Sequence, residues 1–258
     1  MRKINYDIEI DRIVKFMRKT LAGSGLKKFV IGLSGGIDSA LSAALAVKAV
    51  GSENVVGVML PYKASSPDSY NDAKTVAETF NIQYTKVEIT PMVDPYFDQY
   101  ETDNASALRK GNFMARMRMI VLYDYSAKHG GLVVGTGNIS ELLTGYCTQY
   151  GDSACAFEPI GHLYKTEVWE MSRILGVPAI VIDKKPTADL WDAQTDEQEM
   201  GISYPILDEV LYRKFEIKLE DSQIITDEIT ANHLKIAMNL YNKSKFKRVM
   251  PPTLEEIE

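Results

Sequence analysis

An apolar run of five residues, Phe29-Val30-Ile31-Gly32-Leu33, passes directly into Ser34-Gly35-Gly36-Ile37-Asp38-Ser39 and then into the alanine-rich stretch 40–50. So short a run, bounded by loop residues, reads as a parallel strand covered on both faces, and alanine is the strongest helix former. The unit is strand, tight turn, helix. It repeats with a strand at 55–60, a helix at 68–80 (Ala73, Val76, Ala77 and Phe80 inward) and a strand at 83–89. After a turn-rich stretch around Pro91 and Pro95, a long helix is predicted over 112–128. Gly130-Gly131 stops it, and a fourth strand follows at 132–134. Ahead of the first strand, Ile10, Ile13, Val14, Met17 and Leu21 recur at helical spacing, which predicts a helix over 6–22. Beyond Gly135 the chain reads as loop through Glu158. Helices then follow at 164–175, from Pro178 to Lys184, at 204–215 and at 228–243, before the basic segment Lys243-Ser244-Lys245-Phe246-Lys247-Arg248. No fifth strand is evident. Strands alternating with helices predict an α/β fold with a doubly wound, mostly parallel sheet, as a single domain over residues 1–258, with its ligand site at the carboxyl ends of the strands.

Composition narrows the classes of partner. The 258 residues are 45% hydrophobic, enough for a sizeable core, and 29 Lys+Arg against 35 Asp+Glu leave a net charge of -6. That balance argues against nucleic acid or an anionic membrane surface as partners. Cys147 and Cys155 form no CxxC and have no nearby His pair, so reduced thiols are expected. The charged N-terminus has no apolar signal core, and no run approaches about eighteen apolar residues. Together these features predict a cytoplasmic protein.

The loop 34–39 sits between a buried strand and a helix N-terminus, where an anion is favoured. Two glycines admit a close ligand, the backbone N–H groups and the Ser34 and Ser39 hydroxyls can donate, and the helix dipole attracts negative charge. Asp38 is the odd member, because a carboxylate repels phosphate unless a cation intervenes; its presence points to Mg²⁺ shared with a triphosphate. An ordinary glycine-rich turn with Asp38 as a helix cap is the plainer alternative. Rival motifs are incomplete. No Gly-Lys dipeptide occurs, so there is no Walker A loop, and neither Gly23-Ser24-Gly25 nor Gly135-Thr136-Gly137 completes GxGxxG. Gly32-Leu33-Ser34-Gly35-Gly36 does match GxSxG of an α/β-hydrolase, and His129-Gly130-Gly131 faintly suggests an oxyanion motif. However, His129 precedes a strand, and His162 and His233 lie in helical or pre-helical sequence.

SGGIDS resembles the signature of the PP-loop ATP pyrophosphatases (adenine nucleotide alpha hydrolase-like, with a Rossmann-like fold), which split ATP between its α and β phosphates to adenylate an oxygen. Within that superfamily the chain resembles the ammonia-dependent NAD synthetases over residues 31–251. Gly111-Asn112 with 115–119, Val134-Gly135-Thr136-Gly137-Asn138 through Glu141, Tyr150-Gly151-Asp152, Lys165 and the segment 185–190 fall in family order. The resemblance implies ATP binding by Gly32, Leu33, Ser34, Gly35, Gly36, Ile37, Asp38, Ser39, Thr136, Lys165 and Thr187, with Asp38 and Lys165 catalytic and Asp38 and Glu141 holding Mg²⁺. It implies deamido-NAD (nicotinic acid adenine dinucleotide) binding by Arg116, for which Arg118 competes, and by Lys247 and Arg248.

The implied reaction, the last step of NAD biosynthesis, amidates deamido-NAD with ammonia through an acyl-adenylate, releasing AMP and pyrophosphate. A homodimer is expected, as are lids at 146–158 and 192–200. The length leaves no room for a glutaminase domain, so free ammonia is the expected nitrogen donor. Gln149, Ala156, Glu158 and Phe246 depart from residues common in the family, all on the dinucleotide side. Another PP-loop enzyme acting on tRNA or a purine nucleotide, a non-catalytic nucleotide-binding module and the GxSxG hydrolase are the alternatives.

Overall fold

The computed structural model describes residues 2–100, 105–187, 189, 191 and 195–254. Helix α1 (Tyr6–Ser24) is capped by the Asn5 side chain and ends at Gly25 in the left-handed conformation. There follow β1 (Lys28–Gly32), α2 (Ile37–Val50), β2 (Val55–Met59), α3 (Pro67–Thr79) and β3 (Gln83–Lys86). Next come α4 (Thr90–Tyr100), α5 (Ala107–His129), β4 (Gly131–Val133) and the short α6 (Ile139–Thr144). The chain then forms α7 (Lys165–Ile174), α8 (Ala179–Ile182), α9 (Asp196–Met200), α10 (Tyr204–Leu211), α11 (Asp221–Ile224) and α12 (Ala231–Lys243).

The four strands lie in the order β3-β2-β1-β4, every pair parallel. Strand β1 contributes alternately to the two faces. Phe29 and Ile31 of β1 pack with Met17 of α1, Leu41 and Leu45 of α2, Val76 of α3 and Met171 of α7, while Val30 faces Val93 and Phe97 of α4 and Met114 and Val121 of α5. After β1 the chain builds β2 and β3 on one side, then returns to place β4 on the other. The crevice between the carboxyl ends of β1 and β4 is therefore the topological switch point, where open α/β sheets receive ligands.

A third cluster, with Tyr204, Leu207 and Leu211 of α10 against Leu234 and Ala237 of α12, is roofed by Ile139 and Leu143 of α6. Asp208 ties it to the sheet layer. Fully buried, it accepts from the Ser140 hydroxyl at 2.5 Å and from the Thr166 amide at 2.9 Å, and Ser140 in turn accepts from the Lys165 amide at 3.0 Å.

Several elements differ from the reading of the sequence, among them the short helices α9 and α11, which it did not include. The stretch around Pro91 and Pro95 is helix α4, because Pro91 lies in the first turn, where its missing N–H has no partner to lose, and burial of Val93 and Phe97 outweighs the hydrogen bond lost at Pro95. Helix α5 begins five residues before Asn112, at Ala107, because Ser106 caps it through the Arg109 amide. Within the stretch expected to be loop, α6 forms on a capping box between Asn138 and Glu141. In place of a fifth strand there is a single parallel bridge between Val134 and Phe157. Cys147 and Cys155 are free.

Burial pushes the Asp208 carboxyl up to about 6, against its two hydrogen-bond donors. The native state therefore keeps a proton that the unfolded chain has released, and this contribution to stability falls as pH rises from about 4 to about 6. Asp208→Ala should lower stability by about 2–3 kcal/mol in urea denaturation at neutral pH, by stranding the Ser140 and Thr166 donors. Asp208→Asn should flatten that part of the stability–pH curve, and an unchanged slope would contradict the assignment.

Candidate functional site

The loop after β1 doubles back tightly because Gly35 adopts φ 81° and packs against α3, where a Cβ would lie 2.2 Å from the Ser69 carbonyl oxygen. The loop's own groups satisfy one another. The Ser34 and Ser39 hydroxyls are 3.0 Å apart, Ser39 donates to the Gly36 carbonyl, and the Gly36 amide donates to Ser34 Oγ. Asp38, in the first turn of α2, points across the switch point towards the loop after β4.

That second loop ends in Asn138, which is fully buried. Its Nδ2 donates to Asp38 Oδ1 at 2.9 Å, while its Oδ1 accepts from the Glu141 amide at 3.1 Å as the N-cap of α6. One side chain thus sets the position of both carboxylates. Between them lies Lys165, the first residue of α7 and only 2% exposed, with Nζ 2.5 Å from Asp38 Oδ2 and 3.2 Å from Glu141 Oε1. Burial acts to lower the Lys165 pKa, but the two carboxylates outweigh it and hold the ammonium charged. Burial, reinforced by the Asp38 charge, pushes Glu141 up to about 8 despite Lys165.

These groups open onto a cavity of about 570 Å³. Of the residues expected at the site, Gly32, Leu33, Ser34, Gly36, Ile37, Asp38, Ser39, Thr136, Glu141, Lys165, Thr187 and Lys247 all line it. Thr187 accepts from the Asp189 amide, and the Asp189 carboxylate accepts from the Ser66 amide, joining this edge of the cavity to the N-terminus of α3. Ala188 and Leu190 of the same motif lie outside the described residues. Lys247 reaches back to the carbonyls of Gly145 at 2.8 Å and Cys147 at 2.6 Å.

Three expected residues do not line the cavity: Gly35, which packs against α3, and two arginines. Arg248 closes the end of α12, donating to the Tyr241 carbonyl at 2.6 Å and the Leu143 carbonyl at 2.7 Å, with its guanidinium 4.1 Å over the Tyr241 ring. Arg116 is exposed and donates to the Gln149 carbonyl at 3.2 Å. Arg118 lines the cavity instead, bonded through Nε to the Leu60 carbonyl, and burial lowers its pKa. Helical spacing explains the exchange, since two residues along a helix turn a side chain through about 200°.

Asn138 and Asp196 belong to the site but were not expected there. The spacing of Asn138 to Glu141, a capping box, was the available signal for the first. Glu158, noted as a departure, also lines the cavity, accepting from the Gly137 amide at 2.9 Å, and burial pushes its carboxyl up to about 7. Of the expected lids, 192–194 lie outside the described residues, while Asp196 and Glu199 of α9 and Tyr146 of the 146–158 segment line the cavity.

The donor set suits Mg²⁺. Asp38 and Glu141 present hard oxygens from separate loops, and among the described residues no cluster of three or more His, Cys, Asp or Glu forms a closed cage. Mg²⁺ is commonly held this way, by one or two carboxylates with phosphate and water completing its shell.

A family model described as NAD synthase matches residues 9–251. The chain belongs to the NAD synthase family. A protein of Fusobacterium nucleatum named NH(3)-dependent NAD(+) synthetase is 48% identical over 241 residues, 93% of each chain. Among solved structures, an NMN synthetase from Francisella tularensis superimposes with a TM-score of 0.86 at 31% identity, covering 97% of this chain and 99% of that one. An NH3-dependent NAD synthetase from Campylobacter jejuni, in complex with the nitrate ion, gives a TM-score of 0.82 at 33% identity, covering 97% and 100%. The family's Rossmann-like PP-loop fold, which the resemblance implied, is thus the fold of this chain.

Gly35→Ala should destabilise the protein by about 1–3 kcal/mol, since it combines a positive φ with a backbone clash. Gly23→Ala, where nothing lies within 4 Å of an added Cβ, should be neutral or slightly stabilising. Equal melting temperatures for the two variants would refute this account of the loop.

Proposed function

We propose that the chain catalyses ATP-dependent amidation of deamido-NAD by ammonia to NAD⁺, as a C–N bond-forming ligase. The convergence of Asp38, Lys165 and Glu141 at the switch point, in a chain 48% identical to an NH(3)-dependent NAD(+) synthetase, carries the reading. In the first step a nicotinate carboxylate oxygen bonds to the α-phosphorus of ATP, and the bond to the bridging oxygen breaks, releasing pyrophosphate. In the second, the ammonia nitrogen bonds to the carbonyl carbon, and AMP leaves with the shared oxygen. Activation is needed because a carboxylate is a poor acceptor for an amine.

The glycine-rich loop cradles the phosphates with its amides and the Ser34 and Ser39 hydroxyls, and Thr136 and Thr187 hold the nucleotide from either side of the cavity. Lys165, kept charged by its two partners, stabilises the negative charge that grows on the departing pyrophosphate. Asp38 and Glu141 would hold Mg²⁺, which would supply the remaining countercharge. Lys247 and Arg118 line the same cavity, which supports a role for them in receiving the dinucleotide's pyrophosphate. Arg248 supports this edge through the end of α12, while Arg116 lies outside the cavity, on an exposed flank of α5.

That flank supports a homodimer. Leu108, Ile120 and Tyr123 of α5 are 61%, 52% and 41% exposed, beside Tyr96 and Tyr100 of α4. Among the described residues no helix is long and apolar enough to cross a membrane, which supports the cytoplasmic reading. The likeness to the Fusobacterium nucleatum protein named NH(3)-dependent NAD(+) synthetase supports free ammonia as nitrogen donor.

With deamido-NAD, ATP, Mg²⁺ and ammonium, NAD⁺ and AMP should form in equal amounts, while glutamine in place of ammonium should give neither. Asp38→Ala should lower the rate by at least about 100-fold, and a chelator should abolish it until Mg²⁺ is restored. The likeness to an NMN synthetase makes nicotinic acid mononucleotide the competing acceptor. A higher kcat/KM for it than for deamido-NAD would reassign the substrate, and no amide from either would overturn the reading.

A further inference from the structure

Lys165 places its Nζ between Asp38 and Glu141 at the end of a flexible four-carbon stem. Where that ammonium comes to rest depends first on where the backbone of residue 165 is held. The lysine opens α7, and the N-cap position before it is Tyr164, not one of the small polar residues that usually satisfy the amides of a helix start. Other elements serve those amides instead. The Lys165 amide donates to Ser140 Oγ of α6 at 3.0 Å, and the Thr166 amide donates to Asp208 Oδ2 of α10 at 2.9 Å. The Ser140 hydroxyl donates its own proton to Asp208 Oδ1 at 2.5 Å, which closes these contacts into one network.

Ser140 and Asp208 are fully buried, and neither lines the cavity. Ser140 adjoins Glu141 in the first turn of α6, so its bond to the Lys165 amide sets the lysine's backbone against one of the carboxylates that its side chain pairs with. Asn138 does the same for Asp38 and Glu141. Together the two links fix all three charged groups relative to one another.

A joint that only fastened α10 to α7 would gain nothing from a charge. Burying a carboxylate is costly, and an apolar side chain of similar volume joins two helices at least as well. What the carboxylate adds is a pair of acceptors on one rigid group, each met by a donor from a different element. Tyr204 lies one turn before Asp208 on the same face of α10, and its ring centre is 5.2 Å from Lys165 Nζ. One face of α10 thus holds the lysine at both ends, the backbone through Asp208 and the ammonium through the Tyr204 ring.

We propose that Asp208, acting through Ser140 and the Thr166 amide, is a positioning residue for the reaction: it fixes the start of α7 so that the Lys165 ammonium meets the departing pyrophosphate. This rests on the reading of the chain as an ATP-dependent amidating ligase. Asp208 touches no substrate, and its effect reaches the chemistry through Lys165. Such a role is distinct from a contribution to stability, because it lowers the rate of molecules that are fully folded.

Two variants break the link in different places. Asp208→Asn keeps the shape, but an amide oxygen accepts from only one of the two donors that the carboxylate serves. Ser140→Ala removes the acceptor of the Lys165 amide, and it carries the test if Asp208→Asn does not fold. Measured well below each melting temperature, kcat should fall by about tenfold to a hundredfold, the scale on which a misplaced catalytic group is felt, while KM for ATP and for deamido-NAD stays within about threefold. In a Lys165→Met background, adding Ser140→Ala should lower the remaining rate by less than about twofold, since the group it positions is gone. An unchanged kcat in folded Ser140→Ala, or an equal loss with and without Lys165, would overturn the proposal. Amide hydrogen exchange tests the link without turnover, so its outcome is separate from that of the enzymatic reading. The Lys165 amide should exchange at least about tenfold faster in Ser140→Ala than in the wild-type protein, and equal exchange in the two would contradict the contact on which the proposal stands.

Discussion

Lys165 places one positive charge between two carboxylates that approach it from opposite sides of the sheet's switch point, and the arrangement of the site follows from that contact. Asp38 comes from the loop after β1, Glu141 from the capped turn after β4, and the lysine from the start of α7. These elements are distant in sequence, and each is anchored by the core: α2 and α7 against one face of the sheet, α6 against the C-terminal helices. Removing one partner from a buried pair of this kind typically costs about 3–5 kcal/mol, because the charge left behind is uncompensated. The ion cluster is thus a structural joint as well as a chemical centre.

The joint is electrostatically incomplete. Burial above all, with the nearby charges of Asp38 and Asp196 adding to it against the single ammonium of Lys165, lets Glu141 hold its proton up to about 8. A triphosphate entering this crevice adds negative charge and needs a cation to accompany it. The acidic groups that make the cavity inhospitable to a bare anion are therefore the groups that make it hospitable to a metal-bound one. Asn138 gives the arrangement its precision, since a single buried amide orients Asp38 and caps the helix that carries Glu141.

Much of this was legible in the sequence, for identifiable reasons. The apolar runs at 29–33 and 55–60 and the glycine-rich turn between strand and helix are local signals, and they led to the parallel sheet and to the loop residues that line the cavity. What escaped was set by the tertiary structure. Helix α4 carries Pro95 in its interior and is held by the burial of Val93 and Phe97, which no local propensity reports. Arg116 and Arg118 are alike in composition and spacing, and only the rotation of α5 against the sheet decides which one faces the cavity. Arg248 reads as a free basic residue, yet it closes a helix end. Asp196 has no motif around it, and only the fold brings it to the edge of the cavity.

The most direct measurement follows the oxygen atoms of the acid substrate. Deamido-NAD labelled with ¹⁸O in the nicotinate carboxylate should transfer one label to AMP for each NAD⁺ formed, because the oxygen that attacks the α-phosphorus leaves with it. Label appearing in inorganic phosphate or pyrophosphate, or unlabelled AMP alongside NAD⁺, would contradict adenylation of the carboxylate at this site.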